Sequence, residues 1–295
     1  MKRWLPLAII LLAAVGAIVA VQWQHIAERP SPQAMLDAAA GTQHDLTRIP
    51  NHFDRLSDSD EIAIGDQLAA NYASGFHQPG DNTAANIATE AYLQTIGTRV
   101  AAHARRKLPW KFHYIPQTGF VNAFALPGGH IFVGQGLLAL MHSEDALAAV
   151  LGHEVEHVDL RHCADRAQTE ARLRNLGPIG ALAGLPVEVF LAGYSKDQEL
   201  EADRDGTTLA VATGYSPLGI LQLFAEFQKL EDPGTAGNNP GSPVDEAACL
   251  SLETLAGYFR SHPPAAQRIA QVRSLMRANN WPTPPLRPLA LPAGK

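Results

Sequence analysis

Apolar positions recur every three to four residues over 61–74 and again over 84–106, the spacing of a buried helix face, with Asp81 and Asn82 among turn formers between the two segments. The period then changes. "KFHYIP" at 111–116 and "VNAFALPGGHIFVG" at 121–134 are rich in aromatic and β-branched residues, and Pro-Gly-Gly at 127–129 divides the second stretch as a turn divides a hairpin. From Leu137 the helical pattern returns and lasts to "PAAQRIAQVRSLMRA" at 264–278, ahead of a proline-rich, irregular tail over 281–295. The pattern predicts a mainly helical α+β chain with a small β-sheet or hairpin and no internal repeat.

The first 23 residues follow a different rule. Lys2 and Arg3 precede an uncharged apolar run from Leu5 to Val21, bracketed by Trp4 and Trp23. Residues 1–23 therefore read as a membrane anchor or signal segment, and the run's length and its flanking aromatics favour a retained anchor over a cleaved signal peptide. Basic residues ahead of the run keep the N-terminus cytoplasmic and send the rest across the membrane. The expected location is the cell envelope: anchored in the inner membrane with the catalytic domain in the periplasm, or periplasmic if the segment is cleaved. No cysteine follows the run to accept a lipid. Residues 24–60, polar and broken by Pro30, Pro32 and Pro50, read as a tether, and 61–280 as the folded domain. The apolar stretch "LGPIGALAGLPVEVFLAG" at 176–193 contains Pro178, Pro186 and Glu188, which argue against a second span and for packed core or a lip near the site.

Composition narrows the classes. A chain of 295 residues at 46% hydrophobic content can bury an enzyme-sized core. A net charge of -6 without a basic block leaves no footprint for nucleic acid. Cys163 and Cys249 are too few for a disulfide framework and form no CxxC; the sequence does not decide whether they pair, nor the oligomeric state.

The chemistry concentrates in two stretches. In "AAVLGHEVEHVDL" at 148–160, His153 and His157 are four apart and project from one helix face, with Glu154 beside them. Two imidazoles at this spacing can bind one zinc ion while the carboxylate addresses water, the HExxH logic. Ser143 can cap this helix, with Glu144 and Asp145 in its first turn. In "YSKDQELEADRDG" at 194–206, Ser195 and Gln198 make a capping-box pattern, and Glu199 and Asp203 share a face. A catalytic zinc needs a third ligand, which Glu199 fits, and its histidines need outer acceptors, which Asp203 fits. Glu201 and Asp205 read as a solvated acidic face.

"NAFALPGGHIFVGQGLLAL", "LAAVLGHEVEHV", "SKDQELEAD" and "SHPPAAQR", in that order, resemble the zinc metallopeptidase family of HtpX, the CAAX prenyl protease, BepA and LoiP, over about residues 60–275. The resemblance implies a zincin-like (gluzincin) domain binding one zinc per chain through His153, His157 and Glu199, with Glu154 as general base. It also places His262 and Arg268 over the metal site, where they stabilise the transition state or, for His262, cap the zinc as a latch. HtpX and the prenyl protease carry several membrane spans, so a chain with one apolar run is closest to the single-anchor periplasmic branch.

The expected activity is zinc-dependent hydrolysis of unfolded or misassembled envelope polypeptides, laid along an exposed edge strand at Asn122, Ala123 and Phe124. The alternative is a non-catalytic, chaperone-like zinc scaffold binding unfolded clients. A zinc hydrolase of small molecules fits an open edge strand less well.

Overall fold

The computed structural model describes residues 55–76, 81, 83–174, 179–231 and 263–291. The apolar run at 5–21, nearly all of the tether, Cys249 and His262 lie outside them. Two helices come first, α1 (Asp58–Phe76) and α2 (Ala84–Ala101). Strands β1 (Lys111–Ile115), β2 (Ala123–Leu126) and β3 (His130–Gly134) follow, then the short α3 (Gln135–Leu138). Next are α4 (Glu144–Asp159), α5 (His162–Leu173), a 3-10 segment (Ile179–Gly184) and the single turn α6 (Glu188–Leu191). Helices α7 (Lys196–Ala212), α8 (Leu218–Glu231) and α9 (Ala265–Ala278) complete the order.

The sheet runs β1-β3-β2. β2 and β3 form the expected hairpin, antiparallel with Ala123 opposite Val133 and Leu126 opposite His130. Its turn depends on Gly128 at φ 79 and Gly129 at φ 104, a backbone region that side chains disfavour. β1 lies parallel to β3, with Lys111 opposite His130.

Alternation along the strands divides the core in two. Phe112, Tyr114, Ala123, Ala125, Ile131 and Val133 pack with α2, α4 and α8, whereas Ile115, Phe124, Leu126 and Phe132 pack with α1, α5 and α6. Helices cover both faces, which is why the strand sequences read as nearly unbroken apolar runs. Within the stretch at 176–193, Leu182, Leu185, Val189 and Phe190 are buried in the core, while Glu188 and Ala192 are exposed.

Two differences from the sequence-based expectation have physical causes. The second helix stops at Ala101 rather than continuing to 106, because the buried Asp159 carboxylate accepts the backbone N–H groups of Arg105 at 3.0 Å and Arg106 at 2.7 Å. The tail has no helix over 281–291, yet it is docked: Arg287 N donates to Asp145 Oδ2 at 2.6 Å, and Pro288 bridges Ser143. Among the described residues no helix is long and apolar enough to cross a membrane.

Candidate metal centre

Helices α4 and α7 carry the site, and each begins at the cap its sequence specifies. Ser143 Oγ accepts from Ala146 N at 3.1 Å, and Ser195 with Gln198 closes a reciprocal capping box. The helices cross where Gly152 meets Gly206. A Cβ on Gly206 would lie 2.4 Å from His153 N, and one on Gly152 would lie 2.4 Å from Gly206 O. Backbone therefore touches backbone, and the side chains flanking the crossing come within reach of one another.

There, His153 Nε2 and His157 Nε2 stand 3.0 Å apart. Glu199 Oε2 lies 3.4 Å from His153 Nε2, and Glu199 Oε1 lies 3.7 Å from His157 Nε2. One ligand atom from each residue falls within 4.8 Å of the others, and all three residues are buried. Two imidazole nitrogens and one carboxylate oxygen make a donor set that suits zinc. Glu199 and Asp203 are buried beside these imidazoles, so the cluster faces its ring nitrogens with carboxylates.

Asp203 stands between His153 and Arg268. It accepts from His153 Nδ1 at 2.9 Å, which leaves Nε2 facing the donors. Arg268 grips it through Nε at 2.7 Å and Nη2 at 2.6 Å, and the guanidinium carbon lies 4.1 Å from the centre of the Phe224 ring. Burial opposes ionisation of Asp203, but Arg268 and His153 outweigh it and hold the carboxyl well below the usual range. Burial likewise opposes charge on His153, and Asp203 with Glu199 overcomes it, lifting the ring to about 10. The pocket calls for positive charge at that nitrogen.

Glu154 is pushed up to about 7 by burial, with His153 pulling it down and Glu199 pushing it further up. It lines two small cavities, each with room for about one water (≈ 10 Å³). Ala123, Leu137, Val150, Ile220 and Arg268 border the first, and Asn122, Ala123, Phe124, Phe190, Tyr194, His157 and Glu199 border the second.

The edge strand is placed as expected but is not exposed. β2 ends the sheet, yet Ala123 is 5% and Phe124 3% exposed, with Phe190–Tyr194 across the cavity from them; only Asn122 is half-buried. A one-water cavity does not admit a peptide. Asp205 is no solvated bystander either. The turn after α2 brings Arg105 Nη2 to Asp205 Oδ2 at 2.7 Å, and the same guanidinium reaches the buried Glu156 at 3.3 Å. Glu201 stays 41% exposed, 3.7 Å from His162 Nε2. Cys163 is a buried thiol that accepts from the Tyr194 hydroxyl at 3.2 Å. His162 and Tyr194, which the sequence reading passed over, both touch His157.

Residues 88–276 match the profile of peptidase family M48. The chain is 27% identical over 202 residues to the beta-barrel assembly-enhancing protease of Yersinia pestis, covering 60% of this chain and 41% of that protein. It is 32% identical over 156 residues to the mitochondrial metalloendopeptidase OMA1 of Schizosaccharomyces pombe, covering 48% and 45%. To the metalloprotease LoiP of Escherichia coli it is 28% identical over 172 residues, covering 54% and 60%. Each match spans less than two thirds of the relative's length. The profile takes in more than half of this chain, including α4, α7 and the sheet beside them, and the mainly helical, zincin-like chain belongs to peptidase family M48.

Proposed function

We propose that the chain is a zinc-dependent endopeptidase of the cell envelope that hydrolyses unfolded or misassembled envelope proteins, with one zinc ion held by His153, His157 and Glu199. The observation that carries this reading is Glu154, a buried carboxyl near 7 that borders a water-sized cavity on either side, one of them shared with His157 and Glu199. Bound there, zinc would supply Lewis-acid polarisation of the scissile carbonyl and of water. Glu154 takes a proton from water on its carboxylate and hands it to the departing amide nitrogen. Asp203 keeps the hydrogen of His153 on Nδ1, and Arg268 keeps Asp203 ionised and turned toward that ring. With two of its nitrogens on Asp203, Arg268 acts first as a positioning group, though it also borders the first cavity with Glu154. In this reading His262, outside the described residues, donates to the oxyanion or latches the metal.

The unpaired side of β2 at Asn122, Ala123 and Phe124 would hold the substrate through main-chain hydrogen bonds. Such binding selects extended chains over folded ones. The relatives named beta-barrel assembly-enhancing protease support an envelope substrate class, and the apolar run at 5–21 would hold the enzyme at the membrane where such substrates occur. Glu154→Gln is the test. The variant should retain stoichiometric zinc and its thermal unfolding midpoint, while cleavage of an unfolded envelope protein falls roughly 10²–10⁴-fold. Wild-type cleavage by that variant would sink the mechanism.

A further inference from the structure

His157 can serve as a ligand only if its hydrogen is on the right nitrogen, and the groups that decide this lie outside the donor set. Its Nε2 faces His153 and Glu199, and its Nδ1 faces Nδ1 of His162 at 3.0 Å. A neutral imidazole carries one N–H and one lone pair. With the hydrogen on Nδ1, His157 donates to His162 and turns its Nε2 lone pair to the donors. With the roles reversed, His162 donates, and an N–H of His157 points into the cluster and excludes a cation. The productive arrangement puts the hydrogen of His162 on Nε2, where Glu201 Oε2 faces it from 3.7 Å.

The backbone is shaped to bring that ring back. On a continuous helix a residue five beyond His157 would point well away from it. Instead α4 ends at Asp159, and Arg161 takes a left-handed conformation, φ 67, before α5 begins at His162. A non-glycine residue is strained there, so the conformation needs support. Arg161 has it from α1 and the residues before it, donating to Leu56 O at 2.9 Å, to Asp58 at 2.5 Å and to Glu61.

A second wall closes on the same ring. Tyr194 stacks on His157 at 4.0 Å between centroids and 21° between planes, and its backbone N–H donates to Glu199 Oε1 at 3.2 Å. Its hydroxyl donates to Cys163 Sγ, and the Arg166 guanidinium lies 4.6 Å from its ring centre while donating to Val189 O. His162, Cys163 and Arg166 all come from the first turns of α5.

We infer that His162 and Tyr194 are positioning residues of the metal centre, His162 fixing the tautomer of His157 and Tyr194 fixing its ring plane. This rests on the ligand assignment proposed above, and the experiment separates the two. Apoprotein of the full chain is titrated with zinc against a competing chelator, and the visible spectrum of the cobalt(II) form is recorded. His153→Ala tests the ligand set itself: unchanged zinc binding there overturns the assignment before the inference is reached. Given that assignment, His162→Leu raises the zinc dissociation constant about 10–100-fold and shifts the cobalt bands. His162→Asn, whose side-chain oxygen can accept at the same place, returns it to within about threefold of wild type. Tyr194→Phe keeps the stack and the affinity; Tyr194→Leu loses both. Wild-type affinity in His162→Leu overturns the tautomer role, and wild-type affinity in Tyr194→Leu overturns the stacking role. If His162→Leu does not fold, His162→Asn against His162→Lys carries the same test, because lysine can only donate; equal affinities in that pair overturn the tautomer role.

Discussion

His153 and His157 lie one turn apart on one helix, yet what stands behind each ring differs in kind. Behind His153 is a buried ionic chain, Asp203 held by Arg268, supplied by α7 and α9. Behind His157 are an imidazole and a phenol, His162 and Tyr194, neither a permanent charge, supplied by α5 and the turn before α7. An ionic backing fixes orientation strongly and is costly to break, because each buried charge depends on the other. An uncharged backing fixes orientation by shape and tautomer, and its loss leaves no stranded charge. The two sides should therefore fail differently, the first in fold and metal together, the second in metal alone.

The largest expected effect follows from removing Asp203. Asp203→Ala strands Arg268, which is 3% exposed, and should lower the stability of the apoprotein by about 3–5 kcal/mol in urea unfolding, besides losing zinc. The double variant Asp203→Leu, Arg268→Met should recover most of that stability without recovering zinc, since a packed apolar pair of similar volume is often neutral. Apoprotein Asp203→Ala unfolding within 1 kcal/mol of wild type, roughly the worth of an exposed pair, would remove the contrast between the two sides.

Gly206→Ala strikes what both sides share. Its Cβ would meet His153 N at 2.4 Å, so α4 and α7 must separate, at an overpacking cost of about 1–3 kcal/mol. Zinc content and the thermal midpoint should fall together. Full zinc loading with a lowered midpoint would show that the glycine contact does not set the ligand spacing.

The same contrast explains what could be read from sequence. The His153 side was legible up to Asp203, because those members obey a local rule: Ser143 and the Ser195–Gln198 box start the helices, and spacings of four put His153 with His157 and Glu199 with Asp203 on common faces, whereas the grip of Arg268 on Asp203 comes from 65 residues away. The β2–β3 hairpin was legible for a similar reason, since Pro-Gly-Gly leaves the backbone few alternatives. The His157 side was not. His162 falls off the helical spacing and returns only through the left-handed Arg161, whose support comes from α1 about a hundred residues earlier. Parallel pairing of β1 with β3, the stop at Ala101 and the ion pair of Asp205 with Arg105 likewise depend on partners distant in sequence, which leave no local period. The one signal for His162 was its nearness to the motif, a third histidine shortly after His157.

The smallest expected effect tests where the uncharged side ends. Glu201 is the outermost member of the chain from His157 through His162, 41% exposed and 3.7 Å from His162 Nε2, with Arg204 3.3 Å away on its other side. An exposed carboxylate at that range is screened by solvent, and pairs of this kind contribute about 0–1 kcal/mol. Glu201→Gln removes the charge but leaves an oxygen that can accept from His162, so the order of tautomers survives. Stability should stay within about 0.5 kcal/mol and the zinc dissociation constant within about twofold, with little dependence on salt. A tenfold loss of affinity, restored neither by high zinc nor by low salt, would mean that the Glu201 charge is felt at His157. The two histidines would then both be backed by a carboxylate, one directly and one through an imidazole, and the difference between them would be one of distance rather than of kind.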